Sequence, residues 1–147
     1  MKALLQRVSA ARVTINDETV GKINKGLLVF LCAVKGDADK DLDYIVRKVS
    51  QLRIFGDEQD KMNLSVTDIQ GEVLVISQFT LAASGRKGNR PSFDIAEAPE
   101  RARIIYDTFI MKLRDAGLSV QTGMFAGSMS VSLINEGPVT MLIDSRE

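Results

Sequence analysis

Ser77-Gln78-Phe79-Thr80-Leu81 closes an apolar run, Val73-Leu74-Val75-Ile76, with two hydroxyls and one amide. Strand ends often present the residues of a site, and alternation along an extended chain puts Gln78 and Thr80 on one face. The same residues would also serve as a plain strand terminus. Gly85-Arg86-Lys87-Gly88-Asn89-Arg90-Pro91-Ser92-Phe93 sets three cations and two glycines in nine residues. It reads either as a solvated loop or as a phosphate grip in which Arg86, Lys87 and Arg90 supply the charge. Asn135-Glu136-Gly137-Pro138-Val139-Thr140 reads as a turn between two strands. Its Gly-Pro bond is trans by default, since cis occurs in roughly 5–6% of X-Pro bonds. A cis bond would aim the glycine carbonyl in an unusual direction.

What is missing narrows the chemistry further. The chain has no histidine, which excludes Ser-His-Asp and Cys-His machinery within it, and zinc sites that use His. Its one cysteine, Cys32, lies inside an apolar run and reads as an inert core thiol. The carboxylates form no metal-spaced set. We therefore expect no cofactor and no metal. Chemistry is left to hydroxyls, carboxylates, lysines, main-chain dipoles or the substrate itself. Lys+Arg and Asp+Glu are both 19. That balance argues against tracking along nucleic acid, although a local patch would still hold a nucleic-acid end.

The elements that must position these residues follow from periodicity. At 147 residues the chain fits one domain. Strands are expected over residues 2–15, around Val20–Ile23, over Leu27–Val34 (an apolar run buried on both faces), and from Glu72 to Leu81. Three more follow, over Ser119–Phe125, Met129–Ile134 and Val139–Ile143. Leu42, Ile45, Val46, Val49 and Leu52 make one helix face, with Asp37 or Asp39 as its cap. Pro99-Glu100 opens a second helix, with Gly117 just past its end. Residues 56–71 read as hairpin or loop, and Arg7 as an edge or surface residue. This is an α+β chain with mainly antiparallel sheets and two principal helices. Edges left open in so small a domain would be covered by dimerisation. The longest apolar run has eight residues, short of a membrane span, so the expected compartment is the cytoplasm.

Five blocks together give a resemblance. Gln6-Arg7-Val8, Lys61-Met62-Asn63-Leu64, Ser77-Gln78-Phe79-Thr80-Leu81, Arg90-Pro91-Ser92-Phe93 and Asn135-Glu136-Gly137-Pro138-Val139-Thr140 resemble, in order and spacing, the D-aminoacyl-tRNA deacylase family. The resemblance covers residue 1 to about 145. It implies a homodimer with sites at the interface, where Gly137 and Pro138 form a Gly-cis-Pro element inserted into the partner's site. It implies that Ser77, Gln78, Phe79 and Thr80 line the pocket for the 3′-terminal adenosine and the ester. Arg7 would fix the Gly-Pro orientation, and Thr80 is the candidate catalytic side chain. Family members often carry Asp where this chain has Ser128 and Glu136, and Phe where it has Met141.

The implied substrate is the acceptor end of aminoacyl-tRNA. Its ester needs a positioned water and a stabilised oxyanion more than a strong base. Main-chain amides near Phe79 and Thr80 are expected to polarise the carbonyl, with the ribose 2′-hydroxyl organising water. A glycine carbonyl placed to exclude L side chains would admit D-aminoacyl and glycyl esters alike. Two rivals stand beside this reading: a Ser or Thr esterase of small metabolites, and an RNA-end binding module without catalysis.

Overall fold

β1 (Lys2–Ile15) is the strand to which most of the sheet is attached. The structure, a computed structural model, describes residues 1–86 and 88–147. One edge of β1 is shared in sequence, antiparallel to β3 (Gly26–Cys32) over Lys2–Val8 and to β2 (Glu18–Ile23) over Ala11–Ile15. Its other edge pairs with β8 (Ser130–Asp144) over Lys2–Thr14. Asn16 and Asp17, both with positive φ (48° and 65°), turn β1 into β2. These are residue types that tolerate the left-handed region.

Beyond β3 the sheet becomes parallel. β6 (Glu72–Ser77) runs parallel to β3, and β7 (Ser119–Thr122) parallel to β6. The sheet is thus mixed: antiparallel where β1 meets β2, β3 and β8, as expected of most of it, and parallel over β3, β6 and β7. The chain between β3 and β6 includes α1 (Asp39–Gln51) and the small hairpin β4 (Phe55–Gly56) and β5 (Met62–Leu64). α2 (Pro99–Asp115) lies between β6 and β7. Each segment returns the chain to the same end of the sheet, which parallel pairing requires.

β3 is buried on both faces, as its unbroken apolar run predicts. Leu27, Val29 and Leu31 join Leu5, Ile45, Val49, Phe109 and Leu113 in the core under the helices. Leu28 points the other way, to Val8, Val13, Leu74 and Ile76. Helix α1 begins after Ala38, so neither aspartate expected to cap it does so. The Asp41 carboxylate instead accepts the Ala38 N–H (2.9 Å), and Ser145 Oγ donates to its other oxygen (2.7 Å). The Ser145 bond, then the Ala38 bond, holds the Asp41 carboxyl below its ordinary range. Asp37 is buried, bound by the Met1 ammonium (2.7 Å) and the Arg146 guanidinium (2.8 Å). Gly117, with φ +89°, follows α2 as expected.

Two expected strands prove to be one. The stretches expected over Met129–Ile134 and Val139–Ile143 merge into a single β8 that starts at Ser130, and the residues between them bulge instead of turning. Both halves pair with the same long neighbour, β1, so no reversal of direction separates them. No helix among the described residues is long and apolar enough to cross a membrane.

Candidate active site

The parallel strands β3 and β6 end together, with Leu31 opposite Ser77. Carboxyl ends of parallel strands are where open sheets commonly form ligand crevices. Here they open on a cavity of about 490 Å³. Its walls include Leu31 and Cys32 from the end of β3, Ile76, Ser77, Gln78 and Phe79, Ala102 and Tyr106 of α2, and Phe125 and Met129. The chain does not continue as a strand to Leu81, as alternation suggested. β6 stops at Ser77, and Phe79–Ala82 forms a 3₁₀ turn. The Gln78 N–H still donates to the Leu31 carbonyl (2.8 Å), which fixes where the turn begins.

A turn of this kind leaves its first amides without internal acceptors. The N–H groups of Phe79 and Thr80 have no hydrogen-bond acceptor among the described residues. Gln78 Nε2 donates to Thr80 Oγ1, so these two side chains do meet, across a turn and not along a strand face. A donated amide hydrogen does not withdraw the hydroxyl proton, and Thr80 Oγ1 has no basic partner among the described residues. Phe79 is 57% exposed. Its ring meets Phe93 edge-on, 5.0 Å between centroids and 70° between planes. That contact ties the basic loop to the cavity wall.

The two other reactive side chains in the wall are silent. Burial, and then Asp37, pushes the Cys32 thiol up from its ordinary value. Burial, and then Asp107, pushes the Tyr106 phenol up to about 12, and its O–H donates to the Val75 carbonyl (2.9 Å). Neither would ionise near neutral pH.

The second motif lies elsewhere on the chain. Gln6 pairs with Thr140 and Val8 with Asn135, so four residues, Glu136 to Val139, face Arg7 alone. They are extruded from the strand, and the Gly137-Pro138 bond is cis. Arg7 fills the gap. Its Nε donates to the Glu136 carbonyl (2.9 Å) and its Nη1 to the Ile54 carbonyl (2.6 Å). Arg7 is thus neither an edge nor a surface residue but the pin of this loop. Asn135 braces the other side, accepting the Val139 N–H (2.8 Å) and donating to Thr140 Oγ1 (2.8 Å). Gly137 has φ +130°, a conformation that L side chains rarely adopt, and a Cβ there would displace Arg7 Nη2, 2.8 Å away.

Within one chain, Ser77, Gln78 and Phe79 line the cavity, while Thr80, expected among them, stands just outside its walls, and Gly137 and Pro138 are not in them either. Arg86 lines a separate depression with Ser84, Ser92 and Asp94, and Arg90 is exposed. Lys87 lies outside the described residues. Sequence reasoning missed Glu97, Ala102, Tyr106, Phe125 and Met129 of the cavity wall. Tyr106 and Ala102 are ordinary residues of the second helix, and nothing local to the others marks them.

The model of the family described as D-Tyr-tRNA(Tyr) deacylase matches residues 4–144. The chain is 53% identical over 145 residues to a D-aminoacyl-tRNA deacylase of Clostridioides difficile (strain 630), covering 99% of this chain and 97% of that one. It is 54% identical over 147 residues to one of Paracoccus denitrificans (strain Pd 1222), covering 100% and 99%. A solved structure named c-Myc DNA Unwinding Element Binding Protein superposes with a TM-score of 0.92 at 40% identity, over 98% of both chains. Fold, site and relatives define the class, a carboxylic ester hydrolase acting on D-aminoacyl-tRNA. The chain belongs to the D-Tyr-tRNA(Tyr) deacylase family.

Arg7→Lys tests the pin. One ammonium cannot reproduce a fork that reaches two carbonyls. Loss of the charged donor to the part-buried Ile54 carbonyl costs about 1–3 kcal/mol. Urea denaturation should show a loss of that size, with the fold retained by circular dichroism. Deacylation should fall at least tenfold. Unchanged stability and rate would remove Arg7 from this role.

Proposed function

We propose that this chain removes D-amino acids from tRNA by main-chain polarisation of the ester, and rejects L-amino acids by backbone exclusion. The observation that carries this reading is the pair of unengaged amides, Phe79 and Thr80, beside the cavity wall. Two N–H donors directed at one oxygen are what a tetrahedral oxyanion needs. The cavity would take the 3′-terminal adenosine and the ester. The ribose 2′-hydroxyl would organise the attacking water, since Thr80 lacks the base that a nucleophile requires.

Exclusion is assigned to the carbonyl of Gly137. Its loop is pinned by Arg7 and Asn135, and a rigid backbone group discriminates at the α-carbon whatever side chain follows. Glycine, with nothing to exclude, is admitted. Activity on glycyl-tRNA, including tRNA(Ala) mischarged with glycine, follows from the same logic. Single-turnover hydrolysis of matched D-, L- and glycyl-tRNA by wild type and Thr80→Ala checks both halves. D and glycyl esters should be cleaved and L spared, and Thr80→Ala should keep appreciable activity. Equal cleavage of D- and L-tyrosyl-tRNA would sink the exclusion. A Thr80→Ala variant slower by several orders of magnitude, on the scale of about 10⁶ for a lost nucleophile elsewhere, would restore a side-chain mechanism.

The cavity and the Gly137–Pro138 loop are separate within one chain, which supports a homodimer whose sites use both protomers. β8 supplies a surface for it: a long strand paired on one edge only, with Ile134 62% and Leu142 55% exposed. Such an edge is usually covered. Activity per chain should fall on dilution in step with dissociation followed by light scattering. Full activity in a demonstrated monomer would contradict it.

Arg86, Lys87 and Arg90 are assigned to phosphates of the acceptor arm, in the cytoplasm where tRNA is charged. Phosphate contacts position without reading chemistry. The triple alanine variant should bind tRNA more weakly and with a flatter dependence of log Kd on log salt. Intact binding together with lost D-over-L selectivity would refute the assignment.

A further inference from the structure

One polar group in the cavity wall is left unused by this mechanism. Glu97 precedes α2, and its N–H donates to the Ala33 carbonyl (3.0 Å). Its side chain is only 9% exposed. Oε1 accepts the Ala98 N–H (2.9 Å), but Oε2 is buried without a hydrogen-bond partner among the described residues. Arg101 Nη1 stands 3.1 Å away, balancing charge without the alignment of a hydrogen bond. The Arg101 hydrogen bond goes through Nη2 to the Asp37 carbonyl (2.7 Å). An orphaned buried carboxylate oxygen is costly, and in the wall of a ligand cavity the missing donor is most simply the ligand's.

The surroundings say which donor. Tyr106, Phe125, Ile76 and Ala102 give the cavity apolar walls, and the Tyr106 hydroxyl is already spent on Val75. Walls of this kind suit a flat heterocycle. Arg101 already neutralises Glu97, so a second cation, such as the α-ammonium of the amino acid, would be repelled. A neutral N–H donor would not. We infer that Glu97 Oε2 accepts a hydrogen bond from the exocyclic amine of the 3′-terminal adenine, which makes Glu97 a specificity-determining residue. This rests on the proposal that the cavity receives the terminal adenosine.

The test compares D-aminoacyl-tRNA ending in adenosine with the same tRNA ending in purine riboside, which lacks only that amine. Wild type, Glu97→Met and Glu97→Ala are assayed after circular dichroism identifies the folded variants. Wild type should lose roughly ten- to a hundredfold in kcat/KM on removal of the amine, the scale of a charge-assisted bond. A folded Glu97 variant should act on adenosine-ended tRNA at that reduced level, with a ratio between the two substrates near one. The ratio is internal to each protein and does not depend on its active fraction. Wild type that discriminates beside variants that discriminate equally would overturn the role of Glu97 alone. Wild type indifferent to the amine would overturn the adenosine cavity with it. No hydrolysis of the adenosine-ended substrate would instead strike the deacylase mechanism. Variants that lose discrimination between α-amino and α-hydroxy acyl esters, and not between bases, would assign Glu97 to the amino acid and overturn the proposal.

Discussion

Four residues of β8 have no place in the ladder with β1, and one guanidinium makes that mismatch tolerable. Extrusion of Glu136 to Val139 opens a gap in the pairing opposite Arg7. Backbone carbonyls at such a gap need donors. Arg7 supplies them to Glu136 and Ile54 from one rigid plane, so the loop is tied both to β1 and to the segment after α1. A flexible loop would present the Gly137 carbonyl over a range of positions. A loop held from beneath by Arg7 and from the side by Asn135 presents it in one. If stereochemistry is read by exclusion, discrimination is limited by how little that carbonyl moves.

The sheet builds the cavity. Parallel pairing of β3, β6 and β7 brings three strand ends to one border. The crossing segments leave the space above that border open between α2 and residues 125–131. The end of β6 converts at once into the 3₁₀ turn, and the tightness of the turn is what leaves the Phe79 and Thr80 amides unspent. Phe93, packed on Phe79, sets the basic loop against the same wall. The antiparallel half of the sheet carries the Gly-Pro loop, and the parallel half carries the cavity.

Much of this was legible in the sequence, for reasons specific to each element. The run Leu27–Leu31 is apolar at every step, and at so short a length that suits a strand buried on both faces. The helices announced themselves by steps of three and four, and Gly117 by its place after the second. Three features were hidden because they depend on distant partners. A long single β8 was invisible, since Asn-Glu-Gly-Pro is locally a turn and only pairing with β1 keeps both halves in one line. The parallel half of the sheet was missed because periodicity assigns elements and not their directions. Asp37 and Asp39 looked like caps, but Asp37 is claimed by Met1 and Arg146, more than 35 residues away on either side. Of the site, the hydroxyl-amide stretch and the Gly-Pro pair could be read from motifs. The cavity wall could not, because Ala102, Phe125 and Met129 are ordinary residues that become a site only by being brought together.

The absence of histidine then takes on a definite meaning. A peptide hydrolase without a strong base would be crippled, because the leaving amine must be protonated and the nucleophile activated. An aminoacyl ester is a more activated bond, and its leaving group carries a hydroxyl vicinal to the ester oxygen. Polarisation and placement supply most of what remains. Such a site has few groups that titrate near neutrality: the Cys32 thiol and Tyr106 phenol are both driven upward by burial. As proposed, a site built from backbone donors and a backbone obstacle would need little from side-chain identity beyond space and rigidity. In the proposed mechanism Arg7, remote from the ester, acts only through the backbone it holds, by its bonds to the Glu136 and Ile54 carbonyls.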